Sequence, residues 1–432
     1  MQIYYYEQRT EVLKRLKSRA AINDANVLKI VRSIIDDVAQ RGNKALFYYT
    51  KKFDGFDIDE GNMTVTQKEI DLAYDTVKPE TIEVLKKSAQ NIKTFHEKQL
   101  RKSWFIEKDG AKVGQIIRPI DKVGLYVPGG KASYPSSVLM NVIPAKVAGA
   151  SNISIATPAD KNGNISPAIL VAADIAGADV IYKIGGAQAI AALAYGTQSI
   201  EKVDKITGPG NAYVAAAKRE VFGQVGIDMI AGPSEILIIA DSSAKPEWLS
   251  ADLLSQAEHD EAAACILITT DEEIAEKTDR EVTRQLGLIK RANIAKNSIK
   301  NFGAIIIVEN LDEAVSIAND IAPEHIELIV KNPYDIVDKV KAAGAIFIGQ
   351  YAPEPLGDYF AGTNHVLPTN STARFSSALS VDDFILKSSL IDYSKEAYKK
   401  VYSDVGRFAN LEGLTAHERS ARVRFDKLEE EK

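Results

Sequence analysis

Histidine and cysteine, two residue types that often carry metal-binding or proton-transfer chemistry, are scarce in this sequence. The histidines are His96, His259, His325, His365 and His417, and the single cysteine is Cys265. One cysteine excludes an intramolecular disulfide and a cysteine-rich metal site, and it suits a reducing compartment. A bound metal would therefore need histidine, carboxylate or amide ligands.

Two of the histidines lie beside other polar groups at useful spacings. Gln256 and His259 end a predicted helix and share one of its faces, so that an amide oxygen and an imidazole could ligate zinc. Glu324 and His325 stand immediately before a predicted strand, in a loop, and loops often carry functional groups. A carboxylate beside an imidazole supplies two proton-transfer groups with different resting pKa values. A polar helix end and a capped strand entry remain the structural alternatives.

The other candidate residues differ in their surroundings. Asp358 and His365 lie in a loop of about twenty residues punctuated by proline and glycine, a length that favours a functional role. His417 lies on the last predicted helix, and His96, beside lysines in an amphipathic helix, is predicted to be a surface residue. Cys265 lies in an apolar strand, which predicts a buried filler rather than a nucleophile. The usual covalent thiol route for oxidising an aldehyde would then be absent.

Two glycine-rich turns resemble phosphate-binding loops without completing the pattern. The turn Gly208-Pro209-Gly210-Asn211 follows a predicted strand and opens a helix, so its backbone amides could contact a phosphate. The dinucleotide fingerprint requires a third glycine where this sequence has Tyr213. The segment 124–131 has Gly130 where a phosphate loop has its lysine. Taken alone, the two segments are better explained as tight strand–helix turns.

Short apolar runs alternate with helical patterns around these residues. A mainly helical region, 1–110, contains predicted helices over 26–40 and 79–98. Alternating strands and helices then predict parallel sheets buried on both faces. The strands are predicted over 123–127, 153–157, 180–184 and 235–240, then over 264–269, 304–308, 325–330 and 345–349. The helices are predicted over 137–148, 167–175, 211–222, 248–256, 272–286, 312–321 and 334–343, with tail helices over 394–408 and 415–430.

The sequence therefore predicts an α/β fold with two Rossmann-like parallel-sheet domains, at 111–240 and 241–378. A helical N-terminal region, 1–110, could pack with the second of these domains, and a helical tail, 379–432, follows them. A length of 432 residues with 45% hydrophobic residues is ordinary for a globular enzyme that has a sizeable core.

Composition also argues against several functional classes. The net charge of −6 is unlike that of a dedicated nucleic-acid binder. No apolar stretch reaches the roughly 18 residues of a membrane span. The segment Met1–Glu7 lacks the basic and apolar regions of a secretion signal. We therefore expect a cytoplasmic protein that binds neither nucleic acid nor membrane.

Taken together, the polar motifs resemble those of the histidinol dehydrogenase family, in the family's order and across nearly the whole chain. The segments that carry the resemblance are Tyr126–Gly130, Gly208–Asn211 with Ala231–Glu235, Ser255–Asp260, Ala322–His325, Gly357–Tyr359 through Asn364–Thr369, and Glu412–His417. The resemblance implies one zinc ion, which would act mainly as a template for the substrate. The implied zinc ligands are Gln256, His259, Asp358 and His417.

The resemblance also implies the binding partners. Besides the zinc ligands, L-histidinol would contact Ser234, Glu324, His325 and Glu412. NAD would contact Tyr126, Gln188 and Asn211, and the family binds it without the usual glycine fingerprint. The tail that carries Glu412 and His417 would cross to a second subunit, which implies a homodimer with shared active sites.

The expected reaction is a zinc-dependent, NAD-linked, four-electron oxidation of L-histidinol through L-histidinal to L-histidine, the last step of histidine biosynthesis. His325 is the expected general base, and Glu324 is expected to activate the water that hydrates the aldehyde. One alternative is a zinc-dependent hydrolase of a small amino compound, which would use Glu324 and a water on the metal. A non-catalytic α/β assembly protein is a third possibility, but it leaves a metal-ligand set beside an acid–base pair unexplained.

Overall fold

The computed structural model describes residues 1–19, 25–129 and 133–426. Gly130 and Lys131 of the second glycine-rich segment, and the last residues of the predicted helix 415–430, lie outside the described residues. The chain forms two units, the first from Met1–Leu100 with Ile120–Phe384 and the second from Arg101–Pro119 with Ile385–Lys432.

The N-terminal part of the first unit is mainly helical, as predicted. Its elements are β1 (Gln2–Tyr5), α1 (Arg9–Lys17), α2 (Ala25–Arg41), α3 (Asn43–Asp54), α4 (Gln67–Thr76) and α5 (Pro79–Glu97). Strand β1 was not predicted. The buried face of α2, which includes Val31 and Val38, joins the same apolar core as the first parallel sheet described below.

Helix α5 buries His96, which the sequence predicted to be exposed. Leu85, Ala89, Ile92 and His96 recur at helical spacing on the buried face, and the lysines that suggested a surface site lie on the other side. The Nδ1 atom of His96 lies 2.8 Å from the carbonyl oxygen of Ile92. Burial lowers the pKa of His96. The prediction for His96 was therefore wrong, because charged neighbours were weighed above helical periodicity.

The second unit contributes two strands at this point of the chain, β2 (Trp104–Lys108) and β3 (Ala111–Pro119). The first unit then resumes with a parallel sheet in the order β6-β5-β4-β7-β8. Its strands are β4 (Lys122–Tyr126), β5 (Asn152–Ala156), β6 (Val180–Tyr182), β7 (Lys205–Thr207) and β8 (Gly226–Ile227). Its helices are α6 (Pro135–Ala148), α7 (Pro167–Ala176), α8 (Gly186–Tyr195) and α9 (Ala212–Val221). The strand order reverses between β4 and β7, as in a doubly wound fold.

A second parallel sheet of the first unit has the order β1-β11-β10-β9-β12-β13 and reverses between β9 and β12. Its further strands are β9 (Glu235–Ala240), β10 (Ala264–Thr269), β11 (Gly303–Ile307), β12 (His325–Ile329) and β13 (Ala345–Ile348). Its helices are α10 (Pro246–Ala257), α11 (Glu272–Leu286), α12 (Ala292–Phe302), α13 (Leu311–Ile321) and α14 (Glu354–Tyr359). The two Rossmann-like parallel sheets confirm the predicted fold class.

The predicted helix over 334–343 is wrong. Two single 3₁₀ turns, Pro333–Asp335 and Val337–Lys339, take its place. The side chain of Asn319 on α13 donates to the carbonyl of Lys339 (2.9 Å) and accepts from the amide of Lys341 (2.7 Å). These backbone groups therefore bond to a neighbouring element instead of to a helical ladder.

The second unit pairs β2 and β3 with a strand from the predicted helical tail. Strand β14 (Ile385–Tyr393) runs antiparallel to β3, giving the sheet order β14-β3-β2. Helices α15 (Lys395–Leu411) and α16 (Thr415–Arg422) follow it, close to the predicted tail helices. No helix in the described stretches of chain has the length and apolarity needed to cross a membrane.

Candidate active site and cofactor groove

An acid–base cluster lies at the amino ends of β9 and β12, where the strand order of the second sheet reverses. Glu235 is the first residue of β9, and His325 is the first residue of β12. The amide of Glu235 donates to Oε2 of Glu324 (2.9 Å), and the amide of Glu324 donates to Oε2 of Glu235 (3.3 Å). These reciprocal bonds fix the two strand entries against each other.

The imidazole of His325 is oriented by the backbone. Its Nδ1 atom lies 2.9 Å from the carbonyl oxygen of Glu235, so Nδ1 carries the proton and donates it. The Nε2 atom then holds a lone pair; it is buried, has no hydrogen-bond partner among the described residues, and lies 3.8 Å from Oδ1 of Asp358. Burial, with a smaller contribution from His259, lowers the pKa of His325 to about 4. The ring is therefore a neutral base with one nitrogen free for a proton.

The two glutamates of this cluster are held in different ways. Glu324 is buried, and its burial raises the pKa of its carboxyl well above the usual value. Glu235 pairs with the buried guanidinium of Arg19 and accepts a further bond from the amide of Asn370 (3.2 Å). Neither Glu235 nor Arg19 was named as a site residue from sequence, although Glu235 ends the Ala231–Glu235 motif and directly follows the candidate Ser234.

A group of potential metal ligands lies in the same unit. His259, Glu354 and Asp358 each offer one ligand atom, and these atoms lie within 4.8 Å of one another. Gln256 stands one helical turn before His259, whose amide donates to the carbonyl of Gln256 (3.2 Å). The side-chain Oε1 of Gln256 is buried and lacks a partner within the part of the chain that the structure covers. An imidazole, carboxylates and an orphaned amide oxygen are a donor set that fits zinc.

Glu354 was missed by the sequence reasoning. It lies on α14 four residues before Asp358, so the two carboxyl groups share a helix face, and each offers a potential ligand atom within 4.8 Å of the other. Burial, with the charge of Asp358, raises the pKa of Glu354 to about 8, and Ser255 Oγ donates to its Oε2 (3.2 Å). Glu327 Oε1 accepts from the Glu354 amide (2.8 Å). The four-residue spacing was the signal that could have found Glu354.

Three further site candidates occupy two places. Ser234 directly precedes β9, and its carbonyl accepts from the amide of Ala264 (3.0 Å), so it lies on the same edge as Glu235. Glu412 and His417 belong to the second unit, where both are exposed: Glu412 caps the end of α15, and His417 lies in the first turn of α16. Their roles toward zinc and substrate stay predictions.

The three predicted cofactor contacts line one groove of about 1050 Å³ at the carboxyl edge of the first sheet. Tyr126 is the last residue of β4, and its hydroxyl accepts from the amide of Gly186 (3.1 Å). Gln188 lies in the first turn of α8, fully buried, with an Nε2 donor that is unpartnered in the described ranges. Asn211 caps α9, its Oδ1 accepting from the amides of Tyr213 and Val214. An orphaned donor beside two helix N-termini fits an anionic dinucleotide.

The glycine-rich turn beside this groove is fixed by a buried ion pair. Gly208 donates its amide to Oδ2 of Asp228 (2.8 Å) and accepts from Nζ of Lys218 (2.9 Å), and Lys218 and Asp228 pair with each other. Gly208 has a φ of +111°, and a Cβ there would lie 2.1 Å from the carbonyl oxygen of Tyr126. Only glycine therefore allows the turn to approach β4 this closely.

Cys265 is fully buried in β10, as predicted. Its burial raises the pKa of the thiol to about 12, and its Sγ lies 3.8 Å from Oγ of Ser298. The thiol is therefore an apolar filler, which confirms the prediction.

Comparisons with a family profile, with protein sequences and with solved structures identify the same family. The sequence profile of a family described as histidinol dehydrogenase matches residues 17–425. The chain is 55% identical to a histidinol dehydrogenase of Caldanaerobacter subterraneus subsp. tengcongensis, with 96% of each chain covered. It is 54% identical to one of Bacillus cereus, with 99% of each covered. A crystal structure of histidinol dehydrogenase from Elizabethkingia anophelis has a TM-score of 0.92 and 40% identity, with 98% of each chain covered.

Proposed function

This chain belongs to the histidinol dehydrogenase family and is an oxidoreductase, and we propose that it oxidises L-histidinol through L-histidinal to L-histidine with NAD and one zinc ion. This reaction would be the last step of histidine biosynthesis. The observation that carries the proposal is the free Nε2 of His325, a neutral base within 3.8 Å of a carboxylate of the candidate metal cluster. A base at this position can take the proton of an alcohol held by that cluster.

In the first step, His325 Nε2 accepts the hydroxyl proton while a hydride leaves the carbinol carbon. NAD, when bound in the groove lined by Tyr126, Gln188 and Asn211, supplies the hydride acceptor. The Nδ1–H of His325 keeps its bond to the Glu235 carbonyl, which holds the ring in the tautomer that the reaction needs. The transferred proton also generates an imidazolium that the nearby carboxylate of Asp358 stabilises.

The second oxidation requires a hydrated aldehyde, because Cys265 is fully buried and has a raised pKa. Glu324, directly before His325, is the residue proposed to take the proton from the attacking water. Its raised pKa makes the ionised carboxylate a stronger base than an exposed glutamate. A second hydride then leaves the hydrate, so two electron pairs depart per histidinol.

Zinc, when bound, would hold the amino and imidazole nitrogens of histidinol and fix their position. The residues that would hold it are His259, Asp358 and Gln256, with His417 supplied by a partner. Glu354, which lies one helical turn before Asp358 on α14, would support that ligand. A hydrolase of a small amino compound would have no use for the groove, so the dehydrogenase is favoured.

The test is the stoichiometry of NADH. Purified zinc-loaded protein with histidinol and excess NAD should release two NADH for each histidinol consumed, with histidine as product. One NADH per histidinol would contradict the second oxidation. Consumption of histidinol without NADH would refute the dehydrogenase assignment altogether.

We also propose that two subunits share each active site, with Glu412 and His417 supplied by the partner. Mixing His259→Ala with His417→Ala under subunit exchange should restore activity to roughly one quarter of wild type, since half the dimers are mixed and each has one intact site. If His417 served its own subunit, every site would keep one defect. Exchange without recovered NADH production would then exclude the shared site.

A further inference from the structure

The groove proposed for NAD contains an acidic side chain that the reaction above does not use. Asp54 is the last residue of α3, directly before Gly55 in the left-handed conformation. It lines the same groove as Tyr126 and Gln188. Its Oδ2 atom is buried and has no hydrogen-bond partner in the segments the structure describes. The charge of Asp54 also raises the pKa of Tyr126, so the two groups are close.

Asp54 occupies a place that is unfavourable for a carboxylate. The C-terminus of a helix carries partial negative charge, which repels an anion at that position. Burial raises the pKa of Asp54 to about 6, and within the described residues no ion pair or hydrogen bond opposes that shift. By contrast, the nearby Lys51 pairs with the exposed Asp57 (2.9 Å). Among the described residues Asp54 Oδ2 has no partner that would stabilise its charge, which favours a ligand as its missing partner.

The chemistry of the groove indicates which chemical group of a ligand could pair with Asp54. An ionised carboxyl only accepts hydrogen bonds, so its partner must carry O–H or N–H donors. Apolar side chains also line the groove, among them Ile30, Ile34, Ile165, Ile169 and Phe53, which directly precedes Asp54. A vicinal diol attached to a flat base matches an acceptor next to an apolar wall, whereas a phosphate there would be repelled.

A second acid of the groove is already satisfied. Asp160 follows β5, the position at which doubly wound folds often place a ribose-binding acid. Its Oδ1 accepts from the amides of Asn162 (2.8 Å) and Asn164 (2.9 Å), and its Oδ2 accepts from the Asn164 side chain (3.3 Å). These bonds lower the pKa of Asp160, which is exposed. Of the two acids among the described groove residues, Asp54 is therefore the one with an unpartnered oxygen.

We propose that Asp54 accepts hydrogen bonds from the adenosine ribose diol of the dinucleotide and thereby selects NAD against NADP. This inference rests on the proposed use of NAD and adds a specificity-determining residue to it. The 2′-phosphate of NADP would be repelled by the carboxylate of Asp54. It would also take the place of one of the two ribose hydroxyl groups that donate to Asp54.

The test compares binding rather than turnover. Dissociation constants for NAD, NADP, ADP and nicotinamide mononucleotide are measured by calorimetry on the zinc-loaded protein, its Asp54→Asn variant and the matched control Asp57→Asn. Asp54→Asn should weaken NAD and ADP by about 10- to 100-fold, the range for loss of a hydrogen bond to a charged group. NADP should weaken less or tighten, nicotinamide mononucleotide should not change, and Asp57→Asn should bind all four like the parent.

A stability measurement separates this role from a structural one. Asp54→Asn removes an unpartnered, half-buried charge from a helix C-terminus, so without cofactor the variant should unfold at the same temperature as the parent or a higher one, even though NAD binds more weakly. A lower unfolding temperature, unchanged NAD and ADP affinity, or a loss confined to nicotinamide mononucleotide would overturn the proposal. So would a gain of NADP binding in Asp160→Asn instead. Failure of the parent protein to bind NAD would refute the cofactor assignment itself.

Discussion

The two parallel sheets of the first unit share a five-strand order, to which the second sheet adds β1, but they use opposite edges. In the sheet of β4–β8, the groove lies at the carboxyl ends of the strands, beside the reversal between β4 and β7. In the sheet of β9–β13, the acid–base cluster lies at the amino ends, beside the reversal between β9 and β12. Doubly wound sheets usually bind ligands at the carboxyl edge, so the second sheet departs from that rule.

Helix polarity accounts for the difference. At the carboxyl edge of the first sheet, α8 and α9 begin, and their free amides present partial positive charge. At the amino edge of the second sheet, α10 and α13 end, and their free carbonyls present partial negative charge. One edge therefore suits an anionic dinucleotide, and the other suits a cation. The same architecture offers both environments, and the sequence determines which is used.

Removing the metal should have the largest effect on activity, and it should affect only the amino edge of the second sheet. Chelation should abolish oxidation of histidinol, and added zinc should restore it, because the cluster of His259 and Asp358 would hold the substrate through the ion. NAD binding, measured by calorimetry on the chelated protein, should be retained, because the groove belongs to the other sheet. Full turnover by metal-free protein would refute the cation assignment of the amino edge.

The acid–base pair should give the next largest effect. His325→Asn should lower the oxidation of both histidinol and supplied histidinal by about 10²–10⁴-fold, since both steps move protons. Glu324→Gln should impair histidinal oxidation more than aldehyde formation, because only the former needs an activated water. Glu261, which is exposed, is the matched control, and Glu261→Gln should behave as wild type. Equal small losses in both half-reactions would contradict these assignments.

A substitution at the carboxyl edge of the first sheet tests whether the cofactor groove is independent of the metal site. Lys218→Met leaves Asp228 buried without its partner and frees the Gly208 turn, so the free energy of unfolding should fall by about 3–5 kcal/mol and NAD should bind more weakly. Zinc content should not change. Lys202→Met, at an exposed site, should alter stability by no more than about 0.5 kcal/mol. Denaturant unfolding, calorimetry and metal analysis are the measurements, and loss of zinc from Lys218→Met would show that the two edges are coupled.

The smallest effect is expected at Cys265. Cys265→Ala should cost about 1 kcal/mol of stability, since it shortens one buried side chain, and should leave turnover intact. Denaturant unfolding and steady-state rates check the two parts of this prediction. A large loss of turnover in a variant of near-normal stability would mean that the amino edge uses a thiol after all.

Sequence patterns gave ranges for eight of the eleven strands in the described parallel sheets, because a strand buried on both faces is a continuous apolar run that needs no partner to be recognised; β1, β7 and β8 received none. The predicted strands over 235–240 and 264–269 match β9 and β10 at both ends. Strand β14 was missed because an exposed antiparallel strand has no such run; most of its residues face solvent. The helix predicted over 334–343 failed because Asn319, a residue of another element, takes its backbone bonds.

The candidate site was predictable only where chemistry and sequence neighbourhood coincide. Glu324 and His325 are adjacent in sequence, and His259 follows Gln256 by one helical turn, so each pair could be recognised locally. Glu235 reaches the cluster through parallel pairing of β9 with β12, and no local pattern carries that information. The use of the amino edge was equally hidden, since it depends on the direction in which whole strands and helices are laid out.

Strand β1 has a consequence for the order in which this protein is made. Tyr4 pairs with Ile306, and Arg19 pairs with Glu235, so residues before position 20 find their partners only after hundreds of later residues have been synthesised. At ribosomal rates of about 5–20 residues per second, β1 waits roughly 15–60 s for β11. The sheet of β4–β8 has all its strands well before then. The cofactor groove can therefore form on the ribosome, while the acid–base edge is completed late. Until β11 has been made, β1 is an unpaired strand that chaperones can protect.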